Sequence, residues 1–253
     1  DMSMLELTPD FIKEFAAYLS TEAGLRNGSI WANCMWLKGV VMKAHYNGLI
    51  PRNPFIQFHI SPNVKEREYL TEDELKAVMT HEFADSKLAY IRDIFIFASF
   101  TALSFVDIQE LTNDNIVEVN GEKWILSKRH KTKVAFQVKL LDIPLQIVER
   151  YRPMQKDNRI FPDLNYWSIC KPLKRMIREC GITKSISFHC SRHGFATLAL
   201  SKGMPIESVS RVLGHTNIVT TQLYAKITTQ KLDNDLTMFG DKLSKTFNGI
   251  TMS

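Results

Sequence analysis

Apolar residues recur at helical spacing from the start of the chain. In "TPDFIKEFAAYL", Phe11, Phe15, Tyr18 and Leu19 fall on one helical side. Thr8 is placed to cap the first turn, and Pro9 suits the first helical position, where a missing N–H costs nothing. A second helix is expected through "SIWANCMWLKGVVMKAHYNGLI", with Ile30, Cys34, Leu37 and Val41 on its apolar face and Asn47-Gly48 at its end. Trp31 and Trp36 read as core aromatics, whereas Lys38 and Lys43 are placed to meet phosphates from the exposed face. Three prolines in "PRNPFIQFHISPNVKEREY" break the regularity before a charged segment. A linker is therefore expected near residues 60 to 68, between a helical domain of residues 1–65 and a second domain of residues 66–253.

The second domain opens on "LTEDELKAV", where Thr71 and Glu74 have the spacing of a capping box. The long apolar run "LAYIRDIFIFASFTAL" predicts a buried helix. The period then changes to that of strands. "IVEVNGEKWIL" holds two short runs around Asn120-Gly121, a strong hairpin signal, and "VAFQVKLL" supplies a third after the basic segment "SKRHKTK". Helical patterns resume in "LQIVERYR", "SICKPLKRMIREC", "HCSRHGFATLALSKG", "IESVSRVLGH" and a tail around "TQKLDNDLTMFGDKLSKTF". The expected fold class is mainly α with a small antiparallel β-sheet, in two domains.

Length and composition fit this picture. The 253 residues, 45% hydrophobic and 23% charged, suffice for a sizeable core. No apolar run has the length of a membrane span and no signal-peptide pattern opens the chain, so a cytoplasmic location is expected, without membrane partners. Cys34, Cys170, Cys180 and Cys190 form no CxxC and read as free thiols. The net charge of +5 is modest but unevenly spread. Residues 23–65 hold five Lys/Arg and no acid, residues 123–139 hold six and no acid, and residues 164–193 hold six against Glu179 alone. Such stretches point to a surface that meets a polyanion.

The chemistry-bearing residues cluster late in the chain. His189 and Arg192 are three apart and would project from one side of a helix. His215 follows Gly214, a residue suited to the left-handed end of a helix, and Tyr224 comes nine positions later. Lys131, in "RHKTK", sits near a turn between strands. A tyrosine attacking a phosphodiester would need this set. Guanidinium groups neutralise the non-bridging oxygens, a neighbour takes the phenolic proton, imidazoles shuttle protons or hold the phosphate, and a lysine protonates the departing 5′ oxygen. The bond energy would be stored in a phosphotyrosine, so no cofactor or metal is called for, and neither GxxxxGK[ST] nor an acidic metal cluster is found. A zinc site on His189, His193 and His215 would want glutamate at position 190, where Cys190 stands. His193 reads as structural.

"HCSRHGFAT" followed by "VLGHTNIVTTQLYAKI" resembles the tyrosine recombinases, or phage integrase family, marked by H-x-x-R, then L-G-H, then a nucleophilic tyrosine about nine residues on. The resemblance covers almost the whole chain. It implies a core-binding helical domain over residues 1–65, including "NGLIPRNPF", and an α/β catalytic domain over residues 66–253. It further implies attack by Tyr224 to give a 3′-phosphotyrosyl link, a phosphate clamp at Arg192, assistance from His189 and His215, and Lys131 as the acid, with Lys133 as its rival. The family arginine of T-G-L-R-x-x-E is missing. "FTALSFVDIQEL" puts Ser104 in its place, with Asp107 at the usual acidic position. Arg92 and Arg129 are the candidates to replace that cation, Arg92 being preferred for its apolar flanks. Arg129 and Lys133 also belong to the expected DNA-binding surface.

Two readings follow: a mobile-element integrase that cuts and rejoins double-stranded DNA, or a DNA-binding relative whose cleavage is impaired by Ser104. The tail residues Leu232, Leu236, Phe239, Leu243 and Phe247 keep helical spacing. In the family such a tail often packs on a neighbouring protomer, which implies a homo-tetramer on DNA; docking within the chain is the alternative. Accessory DNA-bending proteins and association with a bacterial nucleoid are further implications. The chain begins "DMSMLELTPD" with no basic arm, so a separate arm-binding domain is expected to be missing from it.

Overall fold

The computed structural model describes residues 3–62, 68–131, 133–155, 157–225 and 229–247. Its contacts divide the chain into two units, Asp1–Glu66 and Arg67–Ser253.

The first unit is built on α1 (Pro9–Thr21) and α2 (Asn27–Tyr46). Thr8 Oγ1 accepts the Phe11 N–H at 3.1 Å, which caps α1 as its sequence dictates. Ile12, Val41, Ala44, Ile50 and Phe55 form one buried cluster, and Leu19, Ile30 and Cys34 another. Helix α2 stops at Asn47, after which Gly48 turns left-handed at φ +72°. Trp36 departs from expectation. It stands on the side opposite Ile30, Cys34 and Val41 and is 74% exposed, because its position on the helix, not its apolarity, decides where it points. Trp31 is half-buried.

The second unit starts with α3 (Glu72–Thr80), whose Thr71–Glu74 capping box is fully formed. Helix α4 (Ser86–Thr101) runs through the main core and buries ten of its residues, as expected from its continuous apolarity. It ends where Ala102 turns left-handed at φ 56°, and α5 (Phe105–Gln109) follows with Ser104 as its cap. Strands β1 (Ile116–Val119), β2 (Glu122–Lys128) and β3 (Ala135–Lys139) form an antiparallel sheet in the order β1-β2-β3. Asn120 and Gly121, both at positive φ, make the tight turn that their sequence predicts. Ile125 opposes Ile116 on one side and Val138 on the other, fixing a register that buries the apolar side of the central strand.

Helices α6 (Asp142–Tyr151) and α7 (Tyr166–Glu179) cover the core around α4. Helices α8 (Cys190–Ser201), α9 (Ile206–Leu213) and α10 (Val219–Gln222) add a smaller apolar cluster of Ala102, Ala196, Leu200, Val209 and Leu213, on which Tyr224 rests. The tail helix α11 (Thr229–Thr246) leaves Leu232, Leu236, Phe239 and Leu243, with Phe247 just beyond, exposed. Among the described residues, nothing buries this apolar stripe.

Candidate active site

Three chain turns bring the charged side chains together. Arg192 lies in the first turn of α8 and is buried; its Nη1 donates to Ala102 O at 2.7 Å and its Nη2 to Leu213 O. The left-handed end of α4 and the end of α9 thus hold one guanidinium between two carbonyls. Arg129, just past β2, reaches the same place from the hairpin. Its Nη1 meets Asp107 Oδ2 at 2.7 Å, its Nη2 donates to Val212 O at 2.6 Å, and its Cζ lies 4.1 Å from the centre of the Phe136 ring. Its Nε is buried without a hydrogen-bond partner among the described residues. Gly214 makes room for this arrangement: at φ +62°, a Cβ there would stand 2.9 Å from Arg129 Nε and 3.0 Å from its Cγ. The glycine that ends α9 is required twice, for its backbone and for the arginine beside it.

Asp107 organises the hairpin side of the site. Its Oδ2 accepts Ser104 Oγ at 2.7 Å and Arg129 Nη1, while Oδ1 accepts the His130 N–H at 3.0 Å. Burial alone would raise its pKa, but the hydrogen bonds from His130, Ser104 and Arg129 together hold it below the ordinary carboxylate range. Ser104 caps α5 by accepting the Asp107 N–H on its Oγ, and Asp107 Oδ2 accepts the Ser104 N–H in return.

His215 stands at the corner after Gly214, with Nδ1 2.9 Å from Oγ1 of the fully buried Thr221. Burial, then the charges of Arg192, Arg129 and His189, push its pKa down to about 4. It is therefore a neutral imidazole at physiological pH. Burial and the neighbouring Arg129 bring Arg192 down to about 10, while Tyr224 acts in the opposite direction. Tyr224 packs on the apolar cluster that contains Ala102 and Leu213, the two residues whose carbonyls Arg192 binds. The Tyr224 ring is half-buried, 5.1 Å from that of His193, which in turn lies 4.8 Å from His189. An open cleft of about 590 Å³ leads past Val134, Glu207 and Arg211 to His215.

Arg192, Arg129, His189, His215 and Tyr224 are thus gathered at one place, with Ser104 joined to Arg129 through Asp107. Lys131 is exposed at the hairpin tip, and Lys133 closes that turn at φ 56° with its N–H on Arg129 O. Lys38 is half-buried and Lys43 exposed on α2 of the first unit.

Arg92 is not gathered there, which corrects the preference drawn from its apolar flanks. Its Nε binds Asp93 at 2.9 Å, its Nη1 donates to His81 O at 2.9 Å, and it lies over the Phe83 ring. Asp93 also holds Arg150 and Tyr151, so the cation belongs to a structural cluster at the other part of α4. Ten residues separate Arg92 from Ala102, about 15 Å along a helix axis. Sequence reasoning also missed Asp107 as the anchor of Arg129, although its spacing from Ser104 is that of a capping pair. Among the described residues, no group of three or more His, Cys, Asp or Glu is arranged to hold a metal ion, and no helix is long and apolar enough to cross a membrane.

A sequence model of the Phage integrase family matches residues 68–231, and one of the Phage integrase SAM-like domain matches residues 1–60. The tyrosine recombinase XerA of Pyrococcus horikoshii is 32% identical over 177 residues, which is 64% of this chain and 58% of that protein. Tyrosine recombinase XerC of Lactobacillus leichmannii is 25% identical over 229 residues, 85% of this chain and 77% of that protein. The chain thus spans less than two thirds of the XerA relative. Among solved structures, the Tn1549 transposon integrase (residues 82–397) in complex with circular intermediate DNA matches with a TM-score of 0.78 and 18% identity, over 93% of this chain and 86% of that one. A lambda integrase (residues 75–356) dimer bound to a COC′ core site matches with a TM-score of 0.70 and 18% identity, over 88% and 81%.

Proposed function

The chain belongs to the phage integrase family, the tyrosine recombinases, and on that footing we propose that it cleaves and rejoins double-stranded DNA at specific sites through a 3′-phosphotyrosyl intermediate on Tyr224. The observation that carries this reading is the pair of buried guanidiniums, Arg192 and Arg129, held at the end of α9, with the Tyr224 ring packed on the same apolar cluster as Ala102 and Leu213, whose carbonyls Arg192 binds. Two fixed, permanently charged donors stabilise the oxygens of a five-coordinate phosphorus without reorganising during the reaction. Arg129 takes the part of the cation missing at Ser104. His215, neutral and fixed by Thr221, hydrogen-bonds the phosphate. His189 assists from the N-terminal end of α8, and Lys131 at the hairpin tip protonates the leaving 5′ oxygen, with Lys133 as the alternative acid.

The substrate is placed by analogy. The Tn1549 integrase is seen with circular intermediate DNA, and a mobile-element substrate for integration or excision, in the cytoplasm at the nucleoid, is proposed here as well. The first unit grips the same DNA, with Lys38 and Lys43 toward its phosphates. Exposed apolar residues along α11 support docking of the tail on a neighbouring protomer and a homo-tetramer on DNA, with accessory bending proteins as further partners. Removal of residues 229 onward should leave binding to a single site within about threefold while abolishing assemblies larger than a monomer per site. Gel shift and light scattering on a paired-site duplex measure this. Unchanged assembly would remove the tail from the interface.

The activity itself is tested with a duplex nicked close to the cut site, which traps the covalent species. Wild-type protein should give an adduct that Tyr224→Phe does not form. Tight binding with no adduct in the wild type would favour the non-cleaving relative instead.

A further inference from the structure

The hairpin tip that carries Lys131 is held by α5 at two successive residues. Asp107 and Glu110 are three apart, so both project from one side of that short helix and of the turn that ends it. Asp107 takes the Arg129 guanidinium on Oδ2 at 2.7 Å and the His130 N–H on Oδ1 at 3.0 Å. Glu110 adds a contact that the scheme above does not use: its Oε1 stands 2.7 Å from Nδ1 of His130. The Glu110 N–H is bound to Val106 O and Ile108 O, so its carboxylate starts from a fixed backbone. Within the tip, the Arg129 N–H meets Val134 O at 2.8 Å and the Lys133 N–H returns to Arg129 O at 2.9 Å.

His130 is thus held through its main chain and through its ring, and Lys131 is the next residue. A lysine has a long, mobile stem, and a proton donor acts only when it comes within hydrogen-bond reach of the leaving oxygen. Fixing the residue before it narrows the positions from which that stem starts, and a misplacement of about 1 Å is enough to slow such a transfer. The ring contact does not depend on one charge state, since Nδ1 carries a proton in the imidazolium and in one neutral tautomer. The two side chains are 51% and 55% exposed, so the pair contributes little to folding; its place beside Lys131 is what gives it a role.

Resting on the reading of Lys131 as the acid, we propose that Glu110 and His130 are positioning residues, which hold the hairpin tip so that the Lys131 ammonium meets the departing 5′ oxygen. Neither touches the reacting atoms. The N–H bond that breaks is that of Lys131, and its proton ends on the 5′ oxygen as the bond from phosphorus to that oxygen breaks.

The test compares single-turnover adduct formation on two nicked duplexes, one natural and one with sulfur in place of the leaving 5′ oxygen. A thiolate, from a thiol at about 8.5, departs without an acid. Positioning of the acid therefore shows on oxygen and vanishes on sulfur, whereas general damage to the site shows on both. On the natural duplex Glu110→Ala and His130→Ala should each be slower by about fivefold, the ceiling for a half-exposed pair, against at least about a hundredfold for Lys131→Ala. On the sulfur duplex all three should match the wild type. His130→Asn, with an amide N–H near the place of Nδ1, and Glu110→Gln, which keeps an acceptor, should retain the natural rate. The double variant Glu110→Ala/His130→Ala should be no slower than either single one, because the two act through one contact. DNA binding and melting should be unchanged throughout. A wild-type rate for Glu110→Ala on oxygen, a defect that persists on sulfur, or additive losses in the double variant would overturn the proposal. Lys131→Ala that is slow on sulfur as well as on oxygen is a different failure: it refutes Lys131 as the acid and removes the group being positioned.

Discussion

Arg129→Ala is expected to lower the rate of adduct formation by at least about a hundredfold while leaving DNA binding nearly intact. Preorganised donors at a reacting oxyanion are worth about 10²–10³ in rate, and Arg129 is one of the two buried guanidiniums at the end of α9. Most of its hydrogen bonds are made inside the fold, to Asp107 and Val212, so its loss touches affinity little. Arg129→Lys should recover only part of the rate, because a single ammonium lacks the planar fork with which the guanidinium holds Asp107 and Val212 O at once. Restoring the family residue by Ser104→Arg in the Arg129→Ala background should return activity, since both positions are anchored on the same carboxylate. Arg92→Ala, by contrast, should leave the rate per folded molecule unchanged. The measurement is single-turnover adduct formation normalised to bound DNA; loss of activity in Arg92→Ala with full activity in Arg129→Ala would reverse the assignment.

Asp107→Ala is expected to cost stability on the order of 3–5 kcal/mol. Removing one partner of a buried ion pair strands the other charge, and here it also leaves Ser104 Oγ and the His130 N–H without their acceptor. For a unit of this size the melting point should fall by on the order of 10 °C. Asp107→Asn should be milder at His130 and Ser104 but still leave Arg129 uncompensated. The pH dependence has a definite sign. The folded carboxyl titrates below the unfolded one, so its stabilisation is complete above the ordinary range of an aspartate and is lost as pH falls through the lower, folded value. The gap between wild type and variant should therefore narrow in acid. Chemical denaturation at neutral and acidic pH measures it; a variant as stable as the wild type would show that the hairpin is held by other contacts.

Local rules reach most of the elements from sequence. Thr8-Pro9, the Thr71–Glu74 box and Asn120-Gly121 act over four residues or fewer, and each forms in the fold as its chemistry requires. The gathering of His189, Arg192, His215 and Tyr224 was legible because helical spacing and a left-handed glycine constrain directions as well as positions. What was not legible depends on long-range direction. The apolar flanks of Arg92 announce burial, yet they say nothing about which side of α4 carries the guanidinium, and that side faces Asp93 and His81 O. Arg129 comes to Ser104 only through Asp107 and the register of a hairpin. Trp36 misleads in the opposite sense, since an indole on the outer side of α2 remains exposed however apolar its neighbours are.

The most direct test of the central claim is peptide mass spectrometry on the trapped protein–DNA complex. The account predicts a nucleotide esterified through its 3′ phosphate to the Tyr224 oxygen, facing a released strand with a free 5′ hydroxyl. A nucleotide found on another residue, or joined through its 5′ phosphate, would contradict it.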